Sequence, residues 1–331
     1  GFTAVCFYPN GSGLSGSAAV YRTAGSEDVR DLGAAYQRIT MTNPGGEKKI
    51  LRDAITKARK EIEKVEKARK EWEEKQKKAK EEAAKKEKEE SEEDDKAEEE
   101  KKDTAAAGEE DDKKPDEKEG EEDAKDKEKE SEKFTPPEID PTVLPLVEWI
   151  RDKKGAPLLY EIGEASELLH LDDVLESASE LPSVLLYLGG SSSPDYHYVM
   201  DRLGDRSAVA MVPAQIGQLP YTVTRYNLPA ELAVAGCRVV LLPSYDAASE
   251  LERFRTHLAD LVRAGLPRDE ALKAVTQYPA EALGMADRLG TIENGKQADL
   301  IFLDGDPLNP HTRVTRVMTH GEIVWEAPQS P

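Results

Sequence analysis

Between residues 157 and 263, four short apolar runs alternate with four helical patterns, and this rhythm constrains the fold more than any other feature. The runs are 157–162 (PLLYEI), 183–188 (SVLLYL), 207–212 (SAVAMV) and 237–242 (CRVVLL). Each is short and almost continuously apolar, the pattern of a strand buried on both faces. The helical patterns cover residues 166–179, 195–203, 228–235 and 247–263. Repeated strand-then-helix order predicts a parallel sheet covered by helices, as in a (β/α)8 barrel, because parallel neighbours need a long crossover that a helix supplies.

The chain opens with another buried-strand pattern, FTAVCFY at residues 2–8, then a Gly/Ser loop at 10–16 and a strand-like run at 18–21. The Gly-rich loop lacks both the Gly-Lys-Ser/Thr ending of a P-loop and GxGxxG spacing, so it reads as a turn and not a phosphate cradle. After Asn43-Pro44-Gly45-Gly46 a helix begins. Leu51, Ile55, Ala58, Ile62, Val65 and Trp72 fall on one stripe, interrupted by Arg69. The stripe packs on its own domain or forms a homodimer seam, and the first reading is preferred because it spans only about three heptads. Beyond Trp72 the apolar residues stop. The first part of the following Lys/Glu/Asp run can persist as a solvated helix through i,i+4 pairs. The part after Asp103 is expected to be disordered, with nothing to offset its ordering entropy. A second amphipathic helix covers residues 141–150, with Val143, Leu146, Val147 and Ile150 on its apolar face.

Residues 47–133 hold 27 Lys/Arg against 35 Asp/Glu, so they supply only part of the formal charge of −21. The remainder is acidic too, which disfavours nucleic acid and anionic membrane as partners. No apolar run reaches the roughly 18 residues that span a bilayer. The two cysteines, Cys6 and Cys237, lie in strand-like runs without CxxC spacing and read as buried free thiols.

Residues 265–306 carry the densest local signals. Pro267, Asp269 and Glu270 suit a helix start, by missing N–H and by dipole. Tyr278-Pro279 ends that helix and Pro279 starts a second, which Gly284 can cap in the left-handed region. Asn294-Gly295 is a hairpin signal, and residues 298–303 form an apolar strand. The order AGLPRDEALKAVTQYPAEALGM…RLGTIENGKQADLIFLDGDPLNP resembles the C-terminal signature of the amidohydrolase superfamily, among imidazolonepropionase and dihydroorotase relatives. The opening GFTAV…PNGSGLSGSAAV is similar to that family's second barrel strand and the loop after it. The resemblance covers residues 1–39 and 140–325, with the charged segment as an insertion.

The resemblance implies a hydrolase of non-peptide C–N bonds in cyclic or linear amides. It also implies a divalent metal such as zinc, held by His-x-His on the first strand, a His on the fifth, a His on the sixth and an Asp on the eighth. Such donors lower the pKa of bound water to make a nucleophile. Here the fifth strand reads Tyr160-Glu161-Ile162-Gly163 where relatives read Ile-His-Ala-His. Leu188 or Gly189 stands at the sixth-strand position, and Ser244 near the eighth, with Asp246 two residues late. The first strand would lie upstream of Gly1. Glu161, Glu164 and Asp246 could hold Mg²⁺ or Ca²⁺ at a barrel mouth, although rim charges are the simpler reading. Ser244 has no neighbouring histidine and no G-x-S-x-G elbow.

The sequence therefore predicts an incomplete (β/α)8 TIM-like barrel: residues 1–46 and 134–286 form the barrel, 47–133 the insertion, and 287–331 strands of a small β-sandwich. It further predicts lost metal ligands, and a missing N-terminal segment or another chain completing the barrel.

Overall fold

The computed structural model describes residues 2–26, 31–101, 133–189, 195–245 and 247–328. They fall into two compact units, Gly1–Arg59 with Pro141–Pro331, and Lys60–Asp140.

The first unit is built on a seven-stranded sheet, curled as a half-barrel. Its strands are β1 (Ala4–Phe7), β2 (Leu14–Arg22), β3 (Asp31–Thr40), β4 (Leu158–Ile162), β5 (Leu185–Leu188), β6 (Val209–Pro213) and, after a small hairpin of β7 (Gly217–Gln218) and β8 (Arg225–Tyr226), β9 (Arg238–Leu242). The order is β1-β2-β3-β4-β5-β6-β9. The pairs β1–β2 and β2–β3 are antiparallel, and every pair from β3 to β9 is parallel. The four strands anticipated between residues 157 and 242 are all present.

β3 was not anticipated. DLGAAYQRIT has no clean two-residue period, and its register against β2 shifts three times, with Gly33 at φ +107°. Those irregularities hide the alternation by which a strand is read.

Helices α1 (Pro44–Lys101), α2 (Leu144–Asp152), α3 (Ala165–Leu175), α4 (Met200–Asp205), α5 (Leu228–Val234) and α6 (Ala248–Arg263) follow the strands, with short α7 (Arg268–Lys273) and α8 (Gln277–Ala282). The helix expected over 195–203 is a 3-10 turn, Tyr196–Tyr198, then α4. Both faces of the parallel sheet are buried. One carries Leu158, Tyr160, Ile162, Leu186 and Leu188, all nearly solvent-free. The other carries Leu159, Leu185, Val209, Met211 and Val240, in one apolar cluster with Tyr278, Ala282 and Met285. Each such side chain contributes about 1.5–3 kcal/mol relative to exposure.

The first turns of α1 belong to this unit, and Leu51, Ile55 and Ala58 are buried. Pro267 lies just before α7, as a helix start requires, and Gly284 takes φ +70° after α8. Asn294-Gly295 makes a turn with Gly295 at φ +91°, but no paired strands flank it. The strands that follow form a separate antiparallel sheet of β10 (Leu300–Leu303), β11 (Val314–Thr319) and β12 (Glu322–Glu326).

In the second unit the helix continues and the returning chain packs back on it. Trp72 and Phe134 stack with ring centroids 5.8 Å apart, and Lys64 Nζ donates to the Glu138 carbonyl at 3.4 Å. The disorder expected after Asp103 concerns residues almost wholly outside those described. Among the described residues no helix is long and apolar enough to cross a membrane.

Candidate functional site at the barrel mouth

The strands β3, β4 and β5 end on one rim, and their registers decide what faces the interior. Glu161 on β4 sits opposite Tyr187 on β5, and Tyr187 opposite Met211 on β6. Glu161 alternates with Leu159 and therefore points to the same concave face. Arg38 on β3 meets it there. Arg38 Nε donates to Glu161 Oε2 at 2.8 Å, and Nη2 closes on the same oxygen. The side chains are 12% and 17% exposed. Arg38 Nη1 also donates to the carbonyls of Pro9 at 3.0 Å and Gly11 at 3.5 Å, and the guanidinium lies 4.8 Å from the centre of the Tyr8 ring. Burial holds the Tyr187 phenol above its ordinary pKa, with the Tyr8 and Glu161 charges acting in the same direction.

Two further carboxylates stand at the strand ends, each committed to donors of the fold. Glu47, buried in the first turn of α1, accepts from Thr40 Oγ1 at 2.7 Å and from the Asn43 N–H at 2.7 Å. Glu167 accepts from the N–H groups of Gly163 at 2.5 Å and Glu164 at 3.2 Å. This closes a capping box in which Glu164 is the N-cap of α3. Burial raises the Glu167 pKa, against the lowering effect of those two N–H groups. Tyr196 Oη lies 2.7 Å from the Ile162 carbonyl and 2.8 Å from that of Gly189, so one hydroxyl joins the ends of β4 and β5.

The remaining sequence candidates scatter. Leu188 follows Tyr187 on the strand and so turns to the opposite face, where it is buried. It is not at the mouth. Gly163 is on the mouth side, but a Cβ there would meet Glu167 Oε2 at 3.2 Å. Glu164 is exposed at the start of α3, and Ser244 is partly exposed in the loop after β9. Asp246 lies outside the described residues. The geometry thus gathers Glu161 and Gly163, leaves Glu164 on the rim and excludes Leu188.

Residues 231–324 match the family model described as the amidohydrolase family. That stretch, less than a third of the chain, is what is similar to the family. An amidohydrolase of Thermotoga maritima superimposes over 98% of this chain and 72% of its own with a TM-score of 0.63, at 18% identity, which establishes the common fold. Imidazolonepropionase of Phocaeicola vulgatus is 55% identical over 42 residues, covering 13% of this chain and 10% of that enzyme. N-acetylglucosamine-6-phosphate deacetylase of Bos taurus is 37% identical over 70 residues, 21% of this chain and 16% of that one. The matched stretch is thus a small part of either relative.

The metal that the family resemblance implies does not fit the donors at this mouth. Imidazole and carboxylate ligands must offer free lone pairs converging on one point. At this mouth Glu161 is held by a guanidinium, Glu167 by two backbone N–H groups and Glu47 by a hydroxyl and a backbone N–H. A side chain at position 163 would crowd Glu167, whose Oε2 lies 3.2 Å from the Cβ position. Among the described residues no three His, Cys, Asp or Glu side chains come together as a metal site. Sequence reasoning missed Arg38, Tyr187, Glu167 and Tyr196. The Glu164-to-Glu167 spacing was the one local sign of the capping box; nothing local links Arg38 to Glu161, 123 residues apart.

Proposed function

We propose that this domain is a non-catalytic member of the amidohydrolase family, acting as a binding or structural part of a larger protein. The observation that carries this reading is the Arg38–Glu161 pair, which puts a fixed cation on the carboxylate at the position of a family ligand. A water nucleophile of the family's kind needs an unshared donor set, and the mouth offers a neutralised one. Zinc analysis of the full-length protein, with amidase assays on cyclic and linear amides, tests the proposal. Substoichiometric zinc and background turnover are expected. Stoichiometric, tightly held zinc with turnover would overturn it.

The second reading is an active hydrolase of cyclic or linear amides that uses residues outside this chain. It is favoured by the family match over residues 231–324 and by the names of the partial relatives. The same assay separates the two. We further propose that the outer edge of β1, paired on one side only, accepts a strand that completes the barrel, from the same polypeptide or another chain. Ile301 and Trp325, both more than a third exposed and in register through Val317 on one face of the C-terminal sheet, fit a covering sheet of the sandwich type.

A further inference from the structure

We infer that Arg38 is the internal cation of the barrel mouth, the group that orders the Gly-rich loop from Pro9 to Gly13 against β3 and β4. That loop has one local tie of its own, from the Ser15 hydroxyl to the Gly11 carbonyl at 3.1 Å. Gly11 sits at φ +146° and Gly13 at φ +70°, and glycine backbones lose the most freedom on ordering. Its Gly13 end is tied by Thr40: the Gly13 N–H donates to Thr40 Oγ1 at 2.6 Å, and the Thr40 N–H donates to the Gly13 carbonyl at 3.0 Å. Its other end has no such ladder. There two carbonyl oxygens, of Pro9 and Gly11, turn toward one guanidinium nitrogen, with the Tyr8 ring against the guanidinium.

Two carbonyls, an aromatic face and the Glu161 carboxylate form a cradle of negative character around a planar cation. The cation is supplied by β3 and anchored by β4, so the Pro9–Gly11 end of the loop is held by charge while its Gly13 end is held by the bonds to Thr40. Removing the side chain at Cβ would leave a hole of guanidinium shape lined by the same four groups. That hole is the site the inference assigns, and its ligand class is a small planar guanidinium ion.

The test is amide hydrogen exchange of the loop in the full chain. In Arg38→Ala the amides of Asn10, Gly11 and Ser12 should exchange about tenfold faster or more, with the C-terminal sheet unaffected. Millimolar guanidinium, far below denaturing strength, should restore protection, while urea, its neutral isostere, should not. Glu161→Gln keeps the shape and removes the anchoring charge. It should loosen the same amides by a smaller factor, and it serves as the test should Arg38→Ala not fold. Unchanged loop exchange in Glu161→Gln, or equal rescue of Arg38→Ala by urea and guanidinium, would overturn the inference. Stoichiometric, tightly held zinc with turnover in the full-length protein would overturn the proposed function and leave this inference to be decided by the loop exchange.

Discussion

Asp299 shows how much one residue of a sequence signature can carry. It lies in the Ala-Asp-Leu triplet that made the C-terminal segment recognisable, and its role is tertiary. Asp299 Oδ2 accepts from Arg22 Nε on β2 at 3.1 Å, while Oδ1 accepts from the His320 N–H at 2.6 Å. The two side chains are 2% and 1% exposed. A buried ion pair adds little over an apolar replacement, but breaking it strands a charge at a cost of about 3–5 kcal/mol. Asp299→Ala should therefore lower stability by that amount in urea unfolding. The double variant Arg22→Met with Asp299→Leu should cost much less than the two single variants added together. A loss below about 1 kcal/mol for Asp299→Ala would show that the pair does not hold the C-terminal segment to the sheet.

At the scale of elements, α1 divides between two jobs. Its first turns are core: Glu47 ties the helix start to Thr40, and Leu51, Ile55 and Ala58 are buried. From Lys60 onward the helix belongs to the second unit, where surface pairs such as Arg69–Glu73 at 2.9 Å contribute a few tenths of a kcal/mol. Two deletions should therefore behave differently. Replacing residues 80–130 with a short Gly/Ser linker should leave unfolding of the first unit within about 0.5 kcal/mol of the parent. Removing residues 47–133 takes out the buried side chains of Glu47, Leu51, Ile55, Ala58 and Val65 and should abolish cooperative unfolding. Solution mass of a variant with a charged stripe beyond Lys60, Ile62→Glu with Val65→Glu, reads the homodimer alternative. A fall from dimer to monomer would make the arm a seam between copies; an unchanged number of chains per particle would make it a spacer.

The whole molecule is a discontinuous fold, because the parallel pair β3–β4 joins strands that lie before and after the insertion. Gln37 to Thr40 pair with Leu158 to Glu161, and the Arg38–Glu161 bond crosses the same seam. A protease nick within the charged segment should leave the two fragments associated. They should elute together by size exclusion and separate only in denaturant. Separate elution without denaturant would show that the continuous chain, and not the sheet, holds the halves together.

The sequence by itself determined the α/β class, the four parallel strands after residue 157, the position of α7 and the resemblance to the family, because these rest on local periodicity, on Pro and Gly placement and on a contiguous signature. It also singled out Glu161 as a candidate for the barrel mouth. Only the tertiary structure decided that Arg38 occupies that carboxylate, that Leu188 faces away from the mouth and that β3 exists at all. Register and alternation set which side chains share a face, and no short stretch of sequence holds the register between strands more than a hundred residues apart.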